Sequence, residues 1–191
     1  MDMPKNYNNV QAFEGFTPLE LGGHICVIKK VEEAKAKNSG KDMLRIYLDT
    51  DRTDNQPGYY GDRFKSDTRE NKKWGCIVYQ MVLDANGDTN RGFKTFIESV
   101  EKSNNGFKVQ WGDNFCTSLT GKLIGGVFGR EEYLNTYGES KFTTKCFNFR
   151  TVEDIKNGVD IPKDRLLNPS GNSSNGAFDD ITPVDDGDMP F

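Results

Sequence analysis

Cationic and aromatic side chains recur close together along this chain. Arg45 stands two residues before Tyr47, and Lys72 and Lys73 directly precede Trp74. A cation can neutralise a phosphate and a flat ring can stack on a base, so the combination suits a surface that binds single-stranded nucleic acid. The candidate contact residues are Lys35, Lys37, Lys41, Arg45, Tyr47, Lys65, Lys72, Lys73, Trp74, Tyr79, Arg130, Tyr133, Tyr137, Lys141 and Lys145.

Each of these stretches also has a simpler explanation. Charged loops are usually just solvated, and aromatic residues in strands often belong to the core. Phe147 and Phe149, on one strand face, are expected in the core rather than on a binding surface. Tyr79 lies in a stretch that is apolar on both faces, and it suits either role. Trp74 and Tyr47 are the better candidates for stacking, and both are expected to lie off the core face.

Short strands must position these residues. In 43–49, Leu44, Ile46 and Leu48 alternate with polar residues, which indicates a strand with one buried face. The Asn-Ser-Gly-Lys stretch at 38–41 is typical of a turn, so 24–33 and 43–49 are predicted to form a hairpin. Residues 74–84 are apolar on both faces, as in a central strand. Further strands are predicted at 117–133, interrupted by glycines, and at 140–152.

One helix is predicted between the third and fourth strands. In 90–104, Phe93, Phe96, Ile97 and Val100 follow the spacing of a helical stripe. Residues 50–73 are predicted to be a long polar loop. A short final helix is suggested after Thr151, with Asp154 completing a capping box.

The predicted order, three strands, a helix and two strands, is that of the OB-fold. The expected fold class is therefore mainly β, a five-stranded Greek-key barrel that binds oligonucleotides or oligosaccharides. Gly121, Gly125, Gly126 and Gly129 suit a strand that bends at a barrel corner. The loops 50–73 and 131–140 are expected to flank the ligand.

Charge divides the chain into two parts. The net charge is -4, from 25 Lys and Arg against 29 Asp and Glu. Residues 168–191 hold five Asp and no Lys or Arg, so 1–167 carries +1 and the tail carries -5. The Asn, Ser and Gly of 168–180 predict a disordered linker. We therefore expect a binding domain at 1–167 and a disordered acidic tail at 168–191.

Cysteine and histidine usage argues against metal chemistry. The four cysteines are far apart, and His24 is the single histidine, so we expect neither a metal site nor a cofactor, and His24 is expected to be structural. Reduced cysteines in apolar stretches suggest a cytoplasmic protein. No run of 18 apolar residues occurs, and the first residues do not resemble a secretory signal, so no membrane partner is expected.

The tail ends in Asp185, Asp186, Gly187, Asp188, Met189, Pro190 and Phe191. This sequence resembles the acidic tip of bacterial and phage single-stranded DNA-binding proteins, which typically ends in aspartates followed by Ile-Pro-Phe. Gly187 and Met189 depart from that pattern, although methionine keeps the apolar character. The stretches 27–49 and 121–133 also resemble, more loosely, OB-fold proteins encoded by phages of Gram-positive bacteria.

The resemblance implies two activities and no catalysis. The barrel would coat single-stranded DNA without sequence preference, in the host cytoplasm if a phage encodes it. The tip, Asp185, Asp186, Asp188, Met189, Pro190 and Phe191, would dock on replication, repair and recombination enzymes. An aromatic ring beside carboxylates suits an apolar pocket rimmed by Arg or Lys. A solvated acidic end with a chance aromatic residue is the plainer interpretation.

Two other classes of protein are compatible with the sequence. A β-rich phage structural or carbohydrate-binding module would use the aromatic residues on sugars and would need no acidic tip. A small enzyme is the third class, and no motif supports it. The oligomeric state stays open, and a homo-oligomer is compatible with the chain.

Overall fold

The computed structural model describes residues 1–9, 15, 17–37 and 39–167. The tail and its tip, at 168–191, lie outside the described residues. The described chain is mainly β, as predicted, with one antiparallel five-stranded sheet. Its strands are β1 (Gly22–Lys35), β2 (Asp42–Thr50), β3 (Ile77–Met81), β4 (Leu123–Leu134) and β5 (Ser140–Arg150).

The strands lie in the order β3-β2-β1-β4-β5, so β3 and β5 are the edges of an open sheet. The prediction of a central strand at 74–84 is therefore wrong in position, because β3 pairs within the sheet only with β2. The stretch is apolar on both faces for another reason. Val78 packs against the main core, while Met81 is buried on the other face of the sheet, opposite Met43.

The alternation in β2 sets the inner face of the sheet. Leu44, Ile46 and Leu48 are fully buried in the main core, as their spacing predicts. Between them, Arg45 is exposed and Tyr47 is half-buried on the opposite face. A bulge in β1 between Ile28 and Lys30 keeps this arrangement across the hairpin, because Val31 returns to the core beyond the bulge.

Four α-helices accompany the sheet in the described chain, besides a 3₁₀ turn at Tyr7–Asn9. They are α1 (Tyr59–Ser66), α2 (Arg91–Ser103), α3 (Phe115–Leu119) and α4 (Val152–Asn157). The helical stripe of α2 is confirmed, because all four of its apolar residues are buried. Asn90 caps this helix by accepting hydrogen bonds from the Gly92 and Phe93 amides.

Two of the helices correct the sequence analysis. The 50–73 loop contains α1, whose first turn is held by Asp49: its carboxylate accepts hydrogen bonds from the Tyr60 and Gly61 amides. Burial of Tyr60 then anchors α1 to the core. The strand predicted from residue 117 begins instead at Leu123, because Phe115 and Leu119 are buried on one side of α3.

The glycines of β4 serve close packing. A Cβ on Gly125 would lie 2.5 Å from Ile155 of α4, and one on Gly129 would lie 2.5 Å from Phe147. Phe147 and Phe149 were expected on one face, but a register shift between β4 and β5 separates them. Phe149 packs in the core against Phe96, with ring centroids 5.0 Å apart, whereas Phe147 lies against Gly129.

The last described residues return to the sheet. The capping box of α4 is confirmed, with the Thr151 side chain and the Asp154 side chain each accepting the other residue's amide. Beyond α4, Arg165 forms a parallel bridge with Glu131 of β4. None of the helices in the described part of the chain is long and apolar enough to cross a membrane.

Candidate nucleic-acid interface

Strands β1, β2 and β3 align cationic and aromatic side chains across one surface. Lys30 pairs with Tyr47, Glu32 pairs with Arg45, and Arg45 pairs with Tyr79. Directly paired residues project from the same side of a sheet, and here that side is opposite the core face of β2. We call the surface formed by Lys30, Glu32, Arg45, Tyr47 and Tyr79 the outer face.

Glu32 is the centre of contacts on the outer face. Its carboxylate accepts a hydrogen bond from the Tyr47 hydroxyl at 2.7 Å and lies 2.5 Å from the Lys30 ammonium. The nearest Arg45 nitrogen is 4.0 Å away. The hydrogen bonds from Lys30 and then Tyr47 hold the pKa of Glu32 below its usual range, while burial and the bond to Glu32 raise the pKa of Tyr47. Glu32 is therefore an anion that fixes the Tyr47 ring.

The tip of the β1–β2 hairpin carries three of the predicted cations. Lys37 is exposed and Lys41 is half-buried. The Lys35 ammonium lies 2.6 Å from the Asp42 carboxylate, and both side chains are more than half exposed. The tip of the β1–β2 hairpin can therefore contribute positive charge beside the outer face. The Asp42 carboxylate balances the charge of Lys35.

The approach to β3 brings Trp74 into contact with α1. The prediction that Trp74 lies off the core face is wrong: the ring is half-buried against the main core, and its Nε1 donates a hydrogen bond to the Leu48 carbonyl at 2.8 Å. Its centroid lies 5.4 Å from that of Phe64. Lys72 lies 4.7 Å above the Phe64 ring, and Lys73 is exposed. Trp74 is consequently a packing residue with one accessible part.

The β4–β5 hairpin holds the remaining candidates. Tyr133 pairs with Lys141, and Tyr137 at the turn is 80% exposed. The guanidinium of Arg130 lies 5.1 Å from the centre of the Phe142 ring. These residues extend beyond the part of β4 that pairs with β1, so the hairpin forms a second aromatic and cationic surface.

Most of the predicted cations already have a carboxylate partner. Among the described residues, these pairs include Lys35–Asp42, Arg45–Glu32, Lys65–Asp62, Arg130–Asp164, Lys141–Glu139 and Lys145–Glu131. Exposed pairs of this kind contribute only about 0–1 kcal/mol. A phosphate can therefore exchange with these carboxylates at small cost, yet the same pairs also suit a solvated surface without a ligand.

Two residues with contacts at the outer face were missed from the sequence, and so was one contact between aromatic residues. Lys30 and Glu32 lie in β1, and only the strand register shows that they face Tyr47 and Arg45. Phe64 was overlooked as a partner of Trp74 because α1 was not predicted. Elsewhere, Trp111 is 66% exposed and stacks on Phe115 at 5.3 Å. A lone tryptophan in a polar stretch was the available signal for that aromatic pair.

The cysteines give no sign of reactivity. All four are unpaired thiols, and Cys26 and Cys76 are buried. Burial raises the pKa of Cys146 to about 12 and the pKa of Cys26 well above its usual value, so both stay protonated near neutral pH. No group of three metal-ligating side chains occurs within residues 1–9, 15, 17–37 and 39–167.

Two comparisons of the chain with known proteins found no match. No protein-family model matches the chain, and no curated protein matches it. The functional interpretation therefore depends on the outer face, the β4–β5 hairpin and the sequence of the tail.

Proposed function

We propose that this protein binds single-stranded DNA without sequence preference. The observation that carries the proposal is the outer face, where Arg45 is paired across the sheet with Tyr79 of β3 and lies two residues from Tyr47 on its own strand. Two rings and a cation at this spacing can hold two bases and the phosphate between them. Stacking tolerates every base, because each has a flat face.

We further propose that the open sheet belongs to an OB-fold barrel. Two features support this: strand β1 pairs with both β2 and β4, and α2 lies between β3 and β4 along the chain. Side chains also join the two halves of the sheet, since Tyr60 of α1 stacks on Phe128 of β4 at 6.4 Å. In OB-folds, the face of strands 2 and 3 binds oligonucleotides, and here that face carries Arg45 and Tyr79.

The tail supports a role in assembling other enzymes on DNA. Its sequence resembles the docking tip of phage and bacterial single-stranded DNA-binding proteins, and it lies outside the described residues. We propose that Phe191 and the neighbouring aspartates bind replication, recombination or repair enzymes in the cytoplasm of the cell. In this proposal the protein recruits these enzymes and performs no reaction itself.

A carbohydrate-binding or structural β-module is the second candidate. The observation that favours it is the neutralisation of the cations: Arg45 and Arg130 both face carboxylates, while the Tyr137 ring is exposed. Sugars stack on aromatic rings and need no cation. Affinity for a sugar would therefore depend little on salt, whereas affinity for DNA must fall as salt rises.

Two variants of the outer face test the proposal. Tyr79→Ala removes a ring and should weaken binding of a fluorescent oligo-dT by about 1–3 kcal/mol. Arg45→Gln removes the cation and should weaken binding by a smaller amount. Lys94→Gln on α2, whose side chain is 70% exposed, is the matched control and should bind like the wild type. Equal affinity for all four proteins would remove the outer face from the proposal.

A further inference from the structure

The chain beyond α4 covers an edge of β4. Pairing of β4 with β1 ends where Phe128 faces Gly22, so the following residues of β4 have no partner strand on that side. Residues 164–167, which we call the strap, occupy this edge. The Arg165 amide donates to the Arg130 carbonyl at 2.9 Å, and the Glu132 amide donates to the Arg165 carbonyl at 2.8 Å.

The strap also occupies the guanidinium of Arg130. The Nε of Arg130 donates a hydrogen bond to one carboxylate oxygen of Asp164 at 3.0 Å, and the Nη2 of Arg130 donates to the other oxygen at 2.5 Å. Two parallel hydrogen bonds are also how an arginine holds a phosphate. The Arg130 guanidinium lies 5.1 Å from the centre of the Phe142 ring. A nucleotide can bind where a cation for its phosphate lies beside a ring on which its base can stack. At Arg130 and Phe142, the Asp164 carboxylate lies where such a phosphate would bind.

Arg165 and Leu167 make the other contacts of the strap. The Arg165 guanidinium lies 3.8 Å from the centre of the Phe147 ring and 4.0 Å from Glu131, and the Leu167 amide donates to the Glu132 carboxylate. Leu166 and Leu167 are about half exposed. Because the ion pairs are partly exposed, they resist exchange weakly. No strap residue belongs to the main core, so displacement of the strap by a competing anion would leave the core undisturbed.

We propose that the strap closes a phosphate-binding site on the β4–β5 hairpin, with Asp164 standing in for a DNA phosphate on Arg130. This inference rests on the proposed function and names how one of its sites is regulated. A single strand that reaches the hairpin exchanges its phosphate for the Asp164 carboxylate. Arg130 passes from one anion to another and stays balanced, while Asp164 leaves with the strap. Displacement also exposes the β4 edge at Glu132.

Neutralising Asp164 tests the competition. Asp164→Asn keeps the size of the side chain but removes its charge, so oligo-dT should bind about two- to fivefold tighter at low salt. One additional phosphate contact should steepen the log-log salt dependence by about 0.7. Asp160→Asn is the matched control, because Asp160 is exposed and makes no ion pair with a described residue. In an Arg130→Gln background the gain from Asp164→Asn should disappear.

Hydrogen exchange tests displacement separately from affinity. When oligo-dT binds the wild type, the Glu132 and Arg165 amides should lose protection, while the Ile46 amide in the core strand keeps it. The proposal is overturned, with the function intact, if the wild type binds DNA but the strap amides stay protected and Asp164→Asn binds no tighter than Asp160→Asn. Failure of the wild type to bind any single strand removes the function itself, and the strap proposal with it.

Discussion

His24 and Asp54 form a buried pair that ties β1 to the segment after β2. The His24 Nδ1 lies 2.8 Å from an Asp54 oxygen, and both side chains are at most 5% exposed. The other ring nitrogen lies 3.0 Å from the Glu20 carbonyl. Since both partners only accept hydrogen bonds, the ring must donate from both nitrogens as an imidazolium. His24 thus holds structure rather than a ligand, which agrees with its role expected from sequence.

The pair predicts how stability depends on pH. Burial lowers the pKa of His24, but the bonds to Asp54 and Glu20 outweigh it and the pKa rises above its usual 6.5. The contribution of the His24–Asp54 pair to the free energy of unfolding is therefore complete below about pH 6.5. It is lost as pH rises through the pKa of His24 in the folded protein. Asp54 has a lowered pKa in the folded protein, so its part of this stabilisation is present above about pH 3.9. It is lost as pH falls through the pKa of Asp54 in the folded protein.

Urea unfolding between pH 6 and 9 measures this effect. The wild type should lose free energy of unfolding at up to about 1.4 kcal/mol per pH unit in the window between the unfolded and folded values. His24→Gln cannot titrate and should be less stable at pH 6 but lack this loss. Parallel pH profiles for the two proteins would contradict the imidazolium assignment.

Substitution of Tyr47 by alanine should affect DNA binding, whereas substitution of Trp74 by alanine should affect stability. Tyr47→Ala removes a ring from the outer face, so it should weaken oligo-dT binding by about 1–3 kcal/mol while the thermal transition stays cooperative. Trp74→Ala removes a ring from the core edge and a donor to Leu48, so it should lower the free energy of unfolding by about 2 kcal/mol.

Tyr47→Phe is the control for this pair of variants. It keeps the ring but removes the hydroxyl that donates to Glu32, so it should bind DNA nearly as well as the wild type. Loss of cooperative unfolding in Tyr47→Ala, or a Trp74→Ala protein as stable as the wild type, would reverse these two roles. Calorimetry and fluorescence titration of the same preparations separate stability from binding.

Local patterns in the sequence predicted much of this fold. The period of two in β2 and the helical stripe of α2 each reflect burial of one face, and both are confirmed. The capping box of Thr151 and Asp154 was equally readable, because all of its atoms lie within four residues. Where a short stretch of chain decides its own structure, the sequence therefore suffices.

Distant contacts decided the features that the sequence did not predict. The first turn of helix α1 is held by Asp49, which lies ten residues before the helix begins at Tyr59, and no local signal marks that pairing. One shifted residue in β5 separates Phe147 from Phe149. The carboxylate partner of Arg130 lies 34 residues away at Asp164. Each depends on register or on a return of the chain, which periodicity cannot reveal.

Removal of the acidic tip should separate partner binding from DNA binding. Residues 185–191 carry three aspartates and a terminal aromatic residue. Their deletion should leave the fold intact and preserve or slightly tighten DNA binding at low salt, because an acidic segment competes with phosphates for cations. It should also abolish capture of replication or repair enzymes in a pull-down.

Single substitutions identify which part of the tip matters. Phe191→Ala keeps every acidic side chain, so it should abolish most partner capture and leave DNA affinity unchanged. Phe178→Ala removes an aromatic residue of the same tail outside the tip and should capture partners normally. If the truncated and full-length proteins retain the same enzymes, or if truncation unfolds the protein, then the tip is not a docking ligand.

The central claim is tested most directly by one titration of the full-length protein. Fluorescent oligo-dT and a duplex of equal length are compared by anisotropy over a series of salt concentrations. We expect much tighter binding to the single strand, with a log-log salt slope of about -0.7 for each phosphate contacted. Equal affinity for the two DNAs, or an affinity for oligo-dT that does not change with salt, would contradict the proposal that this protein binds single-stranded DNA.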